Sequence, residues 1–417
     1  MCGSARQTNG RTPYVSVNSH DSNGLCEQVV RHGIGRITRT LAGIATLIAT
    51  ESVRQTDGMP GPVDLLELVE RIDGTDTTAR AQAEQRHVAL RQERGSVGDL
   101  EQLSIWLSAT QGSCPPKPFT NARVIVFAAD HGIASAARIG RANPEATVER
   151  LRALAQGRSL VNELARLSGA TVRVVDVGVA AETLGLENQP SSLVSRWGLQ
   201  PGSGSIESED AMTREQVDDA FATGLQLAYD EVDAGADLLI IGSIGVGGST
   251  VAAAVTGLYL QLDAASVAGR GTGIDDATWM RRTEAIRDSM RRGRPLKGYT
   301  MGMLSAVGGA DLIAMAGFLL GAAARRTPVL LDGAVSTTAA LVAARIAYKS
   351  REWFMLGCGS TEPSVAFACE KLRLEPIVQS QLTVGDGSGG LLALPLLRAA
   401  QAVLREEDAA AAAAFDG

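Results

Sequence analysis

Short runs of branched and apolar residues alternate with helix-period segments along most of the chain after residue 120. An unbroken apolar run of this kind is typical of a strand that is buried on both faces, as in a parallel sheet. The segments with this pattern are Val124–Ala129, Val172–Gly178, Leu238–Ile241, Pro328–Gly333 and Trp353–Cys358. Helical patterns lie between them, and the long one at Thr213–Ala234 opens with a Thr-x-x-Gln capping box. The alternation predicts an α/β fold, an open parallel sheet with helices on both faces.

The two ends of the chain differ from this alternating section. Residues 1–62 are predicted to be an N-terminal extension, partly disordered, because its first part is rich in Ser, Asn, Gly and Thr and the run Gly58–Pro62 ends it. Residues 63–120 have helical patterns only and are assigned to a small helical part. Residues 121–395 contain the predicted sheet, and residues 396–417 are predicted to be a C-terminal helix and tail.

The most informative stretch starts at the predicted strand Leu238–Ile241, which runs into a loop with four glycines within the seven residues Gly242–Gly248. Ser249 and Thr250 follow as predicted hydroxyl caps of the next helix. Unpaired amides at such a helix N-terminus suit a phosphate group. The alternative is a tight turn whose glycines serve only positive φ angles. The loop matches neither the P-loop pattern nor a well-spaced dinucleotide fingerprint.

Polar residues cluster where the predicted strands end. Asp130 and His131 follow the first strand, Asp176 lies at the end of the second, Asp332 ends a later one, and the loop Gly385–Gly389 comes last. Ligands bind at the carboxyl ends of the strands in open parallel sheets, so the functional site is expected at this edge. We interpret Asp176 and Asp332 as helix N-caps. His131 stands either near a substrate or as a satisfied loop histidine.

Composition narrows the classes of function. A formal net charge of −7 with 45% hydrophobic and 20% charged residues fits an ordinary globular enzyme and argues against a nucleic-acid surface. The five cysteines form no C-x-x-C pair and the four histidines are dispersed, so no metal site is expected. There is no apolar signal core and no run of 18 apolar residues, which predicts a cytoplasmic protein without a membrane segment.

Several of these segments together resemble one family, the nicotinate-nucleotide–dimethylbenzimidazole phosphoribosyltransferases, which make the lower-ligand nucleotide of cobalamin. The similar segments follow the family's order over about residues 64–405: Phe127–Gly132, Val174–Gly178, Gly202–Ile206, the glycine loop, Gly271–Asp276, Val307–Asp311, Pro328–Gly333 and Gly385–Pro395. The resemblance implies a Rossmann-like parallel sheet with a smaller helical domain drawn from both chain ends. It also implies a homodimer and no metal or redox cofactor.

In this family a benzimidazole nitrogen displaces nicotinate from C1′ of nicotinate mononucleotide. The resemblance therefore implies a cradle for the phosphate and ribose of the nucleotide. An arginine, residue 282, stands where the family has a lysine that faces the phosphate, and it offers a planar fork instead of a point charge. The residues assigned to this side are Ser243, Gly245, Gly247, Gly248, Ser249, Thr250, Gly271, Thr272, Gly273 and Arg282.

The chain departs from the family pattern where the acceptor is activated and bound. Asp386 replaces the family's general-base glutamate and is predicted either to be the catalytic base or to be a turn aspartate. Ser243 replaces a second glutamate and either bonds a ribose hydroxyl or fills the vacated space. Shortening a carboxylate by one methylene retracts it by about 1.5 Å, and misplacement by about 1 Å can cost on the order of a hundredfold in rate. The residues assigned to the acceptor side are Asp130, His131, Arg138, Cys358, Gly385 and Gly387.

These departures leave several functions open. The first hypothesis is phosphoribosyl transfer from a nicotinate-type nucleotide to an aromatic acceptor other than dimethylbenzimidazole, and the second is the family's usual reaction with Asp386 as base. The third is a non-catalytic or regulatory subunit that forms a heterodimer with an active paralogue, which the loss of both glutamates and the extra 62 residues favour. An NAD-dependent oxidoreductase is disfavoured because the glycine spacing does not fit. The expected partners are a small-molecule nucleotide and an aromatic acceptor, with no nucleic acid and no membrane.

Overall fold

The computed structural model describes residues 63–89, 97–139, 145–180, 194–196, 201–271 and 273–415, without the side chains of residues 89, 194–196 and 406–415. These residues belong to one compact unit that spans residues 59–417. The predicted N-terminal extension, residues 1–62, lies outside the described residues. Within the described ranges, no helix is both long enough and apolar enough to cross a membrane.

A single parallel sheet forms the centre of the described structure. Its strands are β1 (Ala122–Ala129), β2 (Thr171–Gly178), β3 (Val194–Arg196), β4 (Leu238–Ile244), β5 (Val329–Leu331), β6 (Phe354–Ser360) and β7 (Pro376–Leu382). In space they follow the order 3-2-1-4-5-6-7, with every neighbouring pair parallel. The order of the first six is that of the Rossmann fold, and the strand order reverses between β1 and β4. At such a switch point a crevice opens beyond the carboxyl ends of the two strands.

Helices cover both faces of this sheet, so the predicted α/β fold class is confirmed. They are α1 (Leu65–Glu70), α2 (Thr77–Ala89), α3 (Asp99–Gln111), α4 (Ile133–Ala136), α5 (Glu145–Ala155), α6 (Leu160–Ser168), α7 (Arg214–Asp233), α8 (Gly248–Leu260), α9 (Ala264–Val267), α10 (Asp276–Gly293), α11 (Thr300–Val307), α12 (Ala310–Ala324), α13 (Gly333–Ile346), α14 (Pro363–Leu372) and α15 (Ser388–Phe415), with 3₁₀ turns at Arg294–Leu296 and Tyr348–Trp353. The predicted capping box of α7 is also confirmed, because Gln216 N donates to Thr213 Oγ1 at 3.2 Å and Thr213 N donates to Gln216 Oε1 at 2.8 Å.

The two faces of the sheet bury separate cores. Ile125 and Phe127 of β1 point into the core that α7, α8, α12 and α13 close. Val124 and Val126, the alternate residues, point into the core that α3, α5, α6 and α15 close. All four side chains are fully buried. A strand covered on both faces needs apolar residues at every position, which explains the unbroken run in the sequence. Burying each such side chain stabilises the fold by roughly 1.5–3 kcal/mol.

Helices from both ends of the chain pack together, as the family resemblance implies. The small core that they share consists of Ala83 of α2, Ile105 of α3 and Leu404 of α15. Helix α15 begins at Ser388 and contains Pro395, so the predicted limit after residue 395 falls inside one continuous helix. This helix therefore links the predicted sheet region directly to the C-terminal segment.

The sequence pattern does not predict strand β7, which forms one edge of the sheet. Its residues are half-buried or exposed, and Gln379, Ser380 and Gln381 interrupt the apolar run. The strand begins with Pro376, a residue that edge positions tolerate because one side needs no amide donor. An edge strand of this kind lacks the continuous apolar pattern on which the other strand predictions depend.

Candidate active site

The glycine loop that follows β4 lies at the switch point and is bonded to the end of β1. Val246 N donates to Asp130 Oδ1 at 3.1 Å, and His131 N donates to Val246 O at 3.0 Å. A Cβ added to Gly245 would lie 1.7 Å from Ala129 O, so no side chain fits there. The ends of the two strands are therefore locked together, and the loop has a fixed position over them.

Helix α8 begins directly from this loop. Its N-cap is Gly247, at a φ of +90° and without a side-chain cap, so the predicted caps Ser249 and Thr250 are wrong. Glycine reaches this left-handed conformation without strain and turns the chain into the helix earlier than the hydroxyl residues would. Thr250 N and Val251 N both donate to Gly247 O, at 2.9 and 3.2 Å. The amides before them, in the first turn, have no carbonyl partner within the helix.

Arg282 of α10 reaches the same helix N-terminus. Its Nη2 donates to Ser249 Oγ at 3.1 Å and to Glu362 Oε2 at 3.3 Å. Arg282 is 4% exposed and Glu362 is 6% exposed. Burial lowers the pKa of the Arg282 guanidinium, and the nearby Glu362 carboxylate partly opposes this, but an arginine remains charged in proteins. The structure thus places the predicted Ser249 and Arg282 together and adds Glu362, whose role the sequence analysis missed.

The remaining residues predicted for the nucleotide side lie around this group. A Cβ on Gly271 would lie 3.3 Å from Arg282 Nη1, whereas one on Gly273 would meet no atom within 4 Å. Gly248, the first residue of α8, would place a Cβ 3.5 Å from His131 Nε2. Thr272 lies outside the described residues.

The loop with Asp386 rests on the end of β4. Ser243 N donates to Gly385 O at 2.6 Å, and a Cβ on Gly242 would lie 2.2 Å from the carbonyl carbon of Asp386. Asp386 is half-buried, and its Oδ1 accepts from Ser388 N at 3.1 Å at the start of α15. The two positions where the family usually has glutamates, 243 and 386, are therefore neighbours at the carboxyl edge of the sheet.

Asp332 occupies the N-cap position of α13, as the sequence predicts, but its side chain makes no capping bond to that helix. Its Oδ2 instead accepts from Gly387 N at 2.9 Å and from Gly389 N at 3.0 Å, and it holds the loop of Asp386 in place. These donors lie more than 50 residues further along the chain, where a local capping pattern gives no signal. Burial, reinforced by the charge of Asp386, raises the pKa of Asp332 to about 7.

Replacing Asp332 by asparagine is expected to change how stability depends on pH. The folded chain keeps the proton of Asp332 up to about pH 7, whereas the unfolded chain releases it near 3.8. The contribution of Asp332 to the free energy of unfolding therefore falls as the pH rises through this window, by on the order of a few kcal/mol. Both amides bond to Oδ2, so an asparagine oxygen in that place keeps the loop attached.

Urea unfolding of both proteins between about pH 5 and 8 measures this difference. The wild-type stability should fall relative to that of Asp332→Asn as the pH rises. His131, whose pKa is also raised, titrates in both proteins and cancels in the comparison. If the unfolding free energies of the two proteins changed in parallel with pH, the raised pKa of Asp332 would be contradicted.

His131 lies beneath the glycine loop in an ion pair with Asp311. Its Nε2 is 3.3 Å from Asp311 Oδ1, without the alignment of a hydrogen bond, and both residues are buried. Burial alone would lower the pKa of His131, but the charges of Asp311 and Asp130 outweigh it and the pKa is raised. A Cβ on Gly309 would lie 2.3 Å from the His131 ring. His131 is thus tightly packed, but neither ring nitrogen has a hydrogen-bond partner among the described residues, so the interpretation as a satisfied loop histidine is not confirmed and a place near a substrate stays a prediction.

The carboxylate of Asp130 binds three neighbouring elements. Its Oδ1 accepts from Thr147 Oγ1 at 2.5 Å and from Val246 N, and its Oδ2 accepts from Ala180 N at 3.0 Å. Asp130 therefore joins the end of β1 to helix α5, to the glycine loop and to the segment after β2. Asp130 thereby fixes the position of the glycine loop.

Two further residues that the sequence assigns to the acceptor side, Cys358 and Arg138, lie apart from each other. Cys358 is buried at the end of β6, with its Sγ 3.1 Å from Ser380 Oγ, and it packs against Gly389. Arg138 is exposed, and its carbonyl accepts from Arg281 Nη2 at 3.3 Å. Cys358 thus supports the back of the Asp386 loop, and Arg138 lies on the surface beside α10.

Asp176 also differs from its prediction. Its Oδ1 accepts from Gly178 N at 3.1 Å and Val179 N at 3.0 Å, so these two bonds close the turn after β2, and neither of them goes to a helix among the described residues. In the described ranges, no group of three or more His, Cys, Asp and Glu side chains is arranged to hold a metal ion. The polar residues at this edge therefore shape loops and bind one another.

One edge of the sheet thus combines an open helix N-terminus, a buried arginine and a half-buried carboxylate on a fixed loop. A helix N-terminus with an arginine suits a phosphate, and a carboxylate nearby can accept a proton. The Rossmann strand order and this site define the class: a nucleotide-binding α/β protein with the groups for a group transfer.

Comparisons with known proteins identify the family. The sequence model of the phosphoribosyltransferase family matches residues 72–414. The nicotinate-nucleotide–dimethylbenzimidazole phosphoribosyltransferase of Mycobacterium ulcerans is 45% identical over 333 residues, which are 80% of this chain and 91% of the relative. That of Streptomyces avermitilis is 44% identical over 345 residues, 82% of this chain and 90% of the relative.

A solved structure agrees with these sequences. The crystal structure of the nicotinate-nucleotide–dimethylbenzimidazole phosphoribosyltransferase from Thermus thermophilus matches with a TM-score of 0.73 at 32% identity, over 79% of this chain and 96% of that chain. The chain belongs to the nicotinate-nucleotide–dimethylbenzimidazole phosphoribosyltransferase family. The resemblance noted from the sequence is confirmed, and the class of reaction is phosphoribosyl transfer, catalysed by a pentosyltransferase.

Proposed function

We propose that the chain transfers the 5-phosphoribosyl group of nicotinate mononucleotide, or of a similar nucleotide, to a ring nitrogen or a phenolic oxygen of an aromatic acceptor. The single observation that supports this best is the buried guanidinium of Arg282, which contacts Ser249 at the open N-terminus of α8. This group lies at the α8 end of the glycine loop, and the loop of Asp386 contacts the β4 end at Ser243. A nucleotide with its phosphate at Ser249 would direct its ribose toward Asp386.

The phosphate side has three sources of attraction. The first-turn amides of α8 are unpaired within the helix, the helix dipole places partial positive charge there, and Arg282 adds a full charge. Because Arg282 is buried, its charge acts with less screening than it would at the surface. The phosphate anchors the sugar so that the reacting C1′ atom has a fixed position.

The acceptor side depends on Asp386. In the proposed reaction a ring nitrogen or a phenolic oxygen of the acceptor attacks C1′, the bond from C1′ to the nicotinate nitrogen breaks, and nicotinate leaves with that electron pair. The proton on the attacking atom of the acceptor passes to the Asp386 carboxylate. Oδ1 of Asp386 accepts from Ser388 N and so orients the side chain, while Oδ2 accepts from no donor among the described residues. Asp386 is therefore proposed as the general base.

The acceptor is proposed to differ from dimethylbenzimidazole. The positions that carry glutamate in the usual family pattern are Ser243 and Asp386, and both shorter side chains lie on the same side of the glycine loop. Two shortened side chains enlarge or reshape the space beside C1′. The proposed substrates are aromatic heterocycles and phenols that fill this space.

Incubation of the purified chain with nicotinate mononucleotide and a panel of azoles and phenols tests the proposal. Release of nicotinate, followed by chromatography, is expected with at least one acceptor, together with the corresponding ribosylated product. Release with dimethylbenzimidazole alone would support transferase activity but contradict the altered acceptor. No release with any acceptor would contradict the enzymatic function.

The proposed assembly is a homodimer, which the family resemblance implies. Light scattering of the purified chain measures its mass directly. A homodimer with turnover excludes the alternative of a regulatory subunit. A chain that is inactive alone and gains activity only with a co-purified paralogue would establish that alternative.

A further inference from the structure

The ion pair of Arg282 and Glu362 is a feature for which phosphate binding alone gives no reason. An arginine that serves only to attract phosphate does not require a buried carboxylate on its other side. Removing two charges from water is costly, and a buried pair often stabilises a fold no more than apolar residues would. The side chains of Arg282 and Glu362 are only 5% and 7% exposed. Their burial at the phosphate side of the site therefore suggests a functional reason.

The geometry of the pair leaves the guanidinium incompletely bonded. Arg282 donates through one atom, Nη2, to both Ser249 Oγ and Glu362 Oε2, at 3.1 and 3.3 Å. Arg282 Nε is buried and has no hydrogen-bond partner among the described residues. A buried, unpaired donor is costly unless a ligand or water satisfies it. Arg282 is therefore held in place by Glu362 without being saturated by it.

The backbone of residues 269–271 closes over the pair. A Cβ on Gly269 would lie 2.1 Å from Glu362 Oε2, and one on Gly271 would lie 3.3 Å from Arg282 Nη1 and 3.7 Å from Glu362 Oε1. The carboxylate of Glu362 thus has no space to rotate away on that side. Glu362 itself follows β6 and precedes α14, so two regular elements fix its backbone.

We propose that Glu362 is a positioning residue for the phosphate of the nucleotide: it holds the Arg282 guanidinium against Ser249 before the substrate arrives. Glu362 touches no substrate atom and acts through Arg282. The preformed arginine reduces the rotamer entropy that phosphate binding would otherwise cost. This inference rests on the proposed contact between Arg282 and the phosphate, and it adds a residue that the nucleotide side depends on.

Kinetics with two donors test the proposal. Glu362→Ala is expected to raise KM for nicotinate mononucleotide about 10- to 100-fold, with a much smaller change in kcat, because only the anchoring of the phosphate is impaired. With the phosphate-free donor nicotinate riboside, kcat/KM of the variant and of the wild type should agree within about threefold. A merely structural role would lower kcat/KM for both donors equally, and that result would overturn the proposal.

Two further variants keep the test decisive if Glu362→Ala folds poorly. Glu362→Gln keeps the size of the side chain and one acceptor oxygen. Its KM for nicotinate mononucleotide should therefore lie between those of the wild type and Glu362→Ala. Gly269→Ala forces the carboxylate aside and should reproduce the phosphate-specific defect. Glu370→Ala, on the exposed side of α14, is the matched control and should not change KM or kcat/KM for either donor.

In an Arg282→Met background, Glu362→Ala should have no further effect on KM for nicotinate mononucleotide. Additive effects of the two substitutions would contradict action through Arg282.

Calorimetric titration with nicotinate mononucleotide separates this inference from the proposed function. If the wild type binds the nucleotide and Glu362→Ala binds it equally well, the positioning role is wrong while the proposed function stands. If the wild type does not bind the nucleotide at all, the proposed function fails first, and the positioning role fails with it.

Discussion

Asparagine in place of Asp386 is expected to lower kcat by about 10²- to 10⁴-fold, the range that a general base contributes. The amide has the same shape and can still accept from Ser388 N, so the loop should keep its position on β4. What the amide cannot do is take the proton of the acceptor. The phosphate contacts lie at Ser249 and Arg282, so KM for the nucleotide should change by less than about threefold. Steady-state measurement of nicotinate release at saturating acceptor gives both constants.

Two further variants show whether the loss of kcat is due to the missing base. Asp386→Glu restores the residue type that the family pattern has at this position, and it should retain more activity than the asparagine variant. Glu375→Gln alters a carboxylate outside the proposed site and should leave kcat unchanged. If Asp386→Asn keeps kcat within about threefold of the wild type, Asp386 is only the turn aspartate that bonds Ser388 N.

Much of the fold could be predicted because its signals are local. Strand β4 shows an unbroken apolar run, since both faces of the strand are buried and every position must be apolar. The capping box of α7 needs only two residues three positions apart, and it forms as predicted. Strand β7 has no such signal, because an edge strand tolerates polar residues and proline.

The place of the candidate residues in the fold could be predicted, but their contacts could not. The strand ends had to meet at one edge of a parallel sheet, and the glycine loop marked the switch point. The partners of Asp332 and the carboxylate partner of Arg282, however, are more than 50 residues away in sequence. A local capping rule predicts that the side chain of Asp332 bonds to its own helix. In the folded chain that carboxylate instead accepts hydrogen bonds from Gly387 N and Gly389 N. Glu362 carried one signal, its place after a strand at the carboxyl edge, but no spacing rule pairs it with Arg282.

The backbone contacts around Gly245 predict the largest effect on stability. Gly245 has a φ of +155°, a region that only glycine populates readily, and its missing Cβ leaves room for Ala129 O. In Gly245→Ala the new methyl would lie 1.7 Å from that oxygen, so β1 and the loop must move apart. That movement also breaks the bonds of Val246 with Asp130 and His131. We expect a loss of about 4 kcal/mol or more in the free energy of unfolding, and loss of transferase activity.

Gly273→Ala separates this steric effect from the general cost of a positive φ angle. Gly273 has a φ of +83°, but no atom lies within 4 Å of the position of its missing Cβ. Alanine there should cost only the left-handed backbone strain, about 1–2 kcal/mol. Urea unfolding of the two variants compares them, and a domain of ordinary stability should tolerate the second change but come close to unfolding with the first. Equal stability of the two variants would mean that the glycine loop can move away from Ala129 O without loss of stability. The contact between the ends of β1 and β4 would then not fix the position of the phosphate cradle.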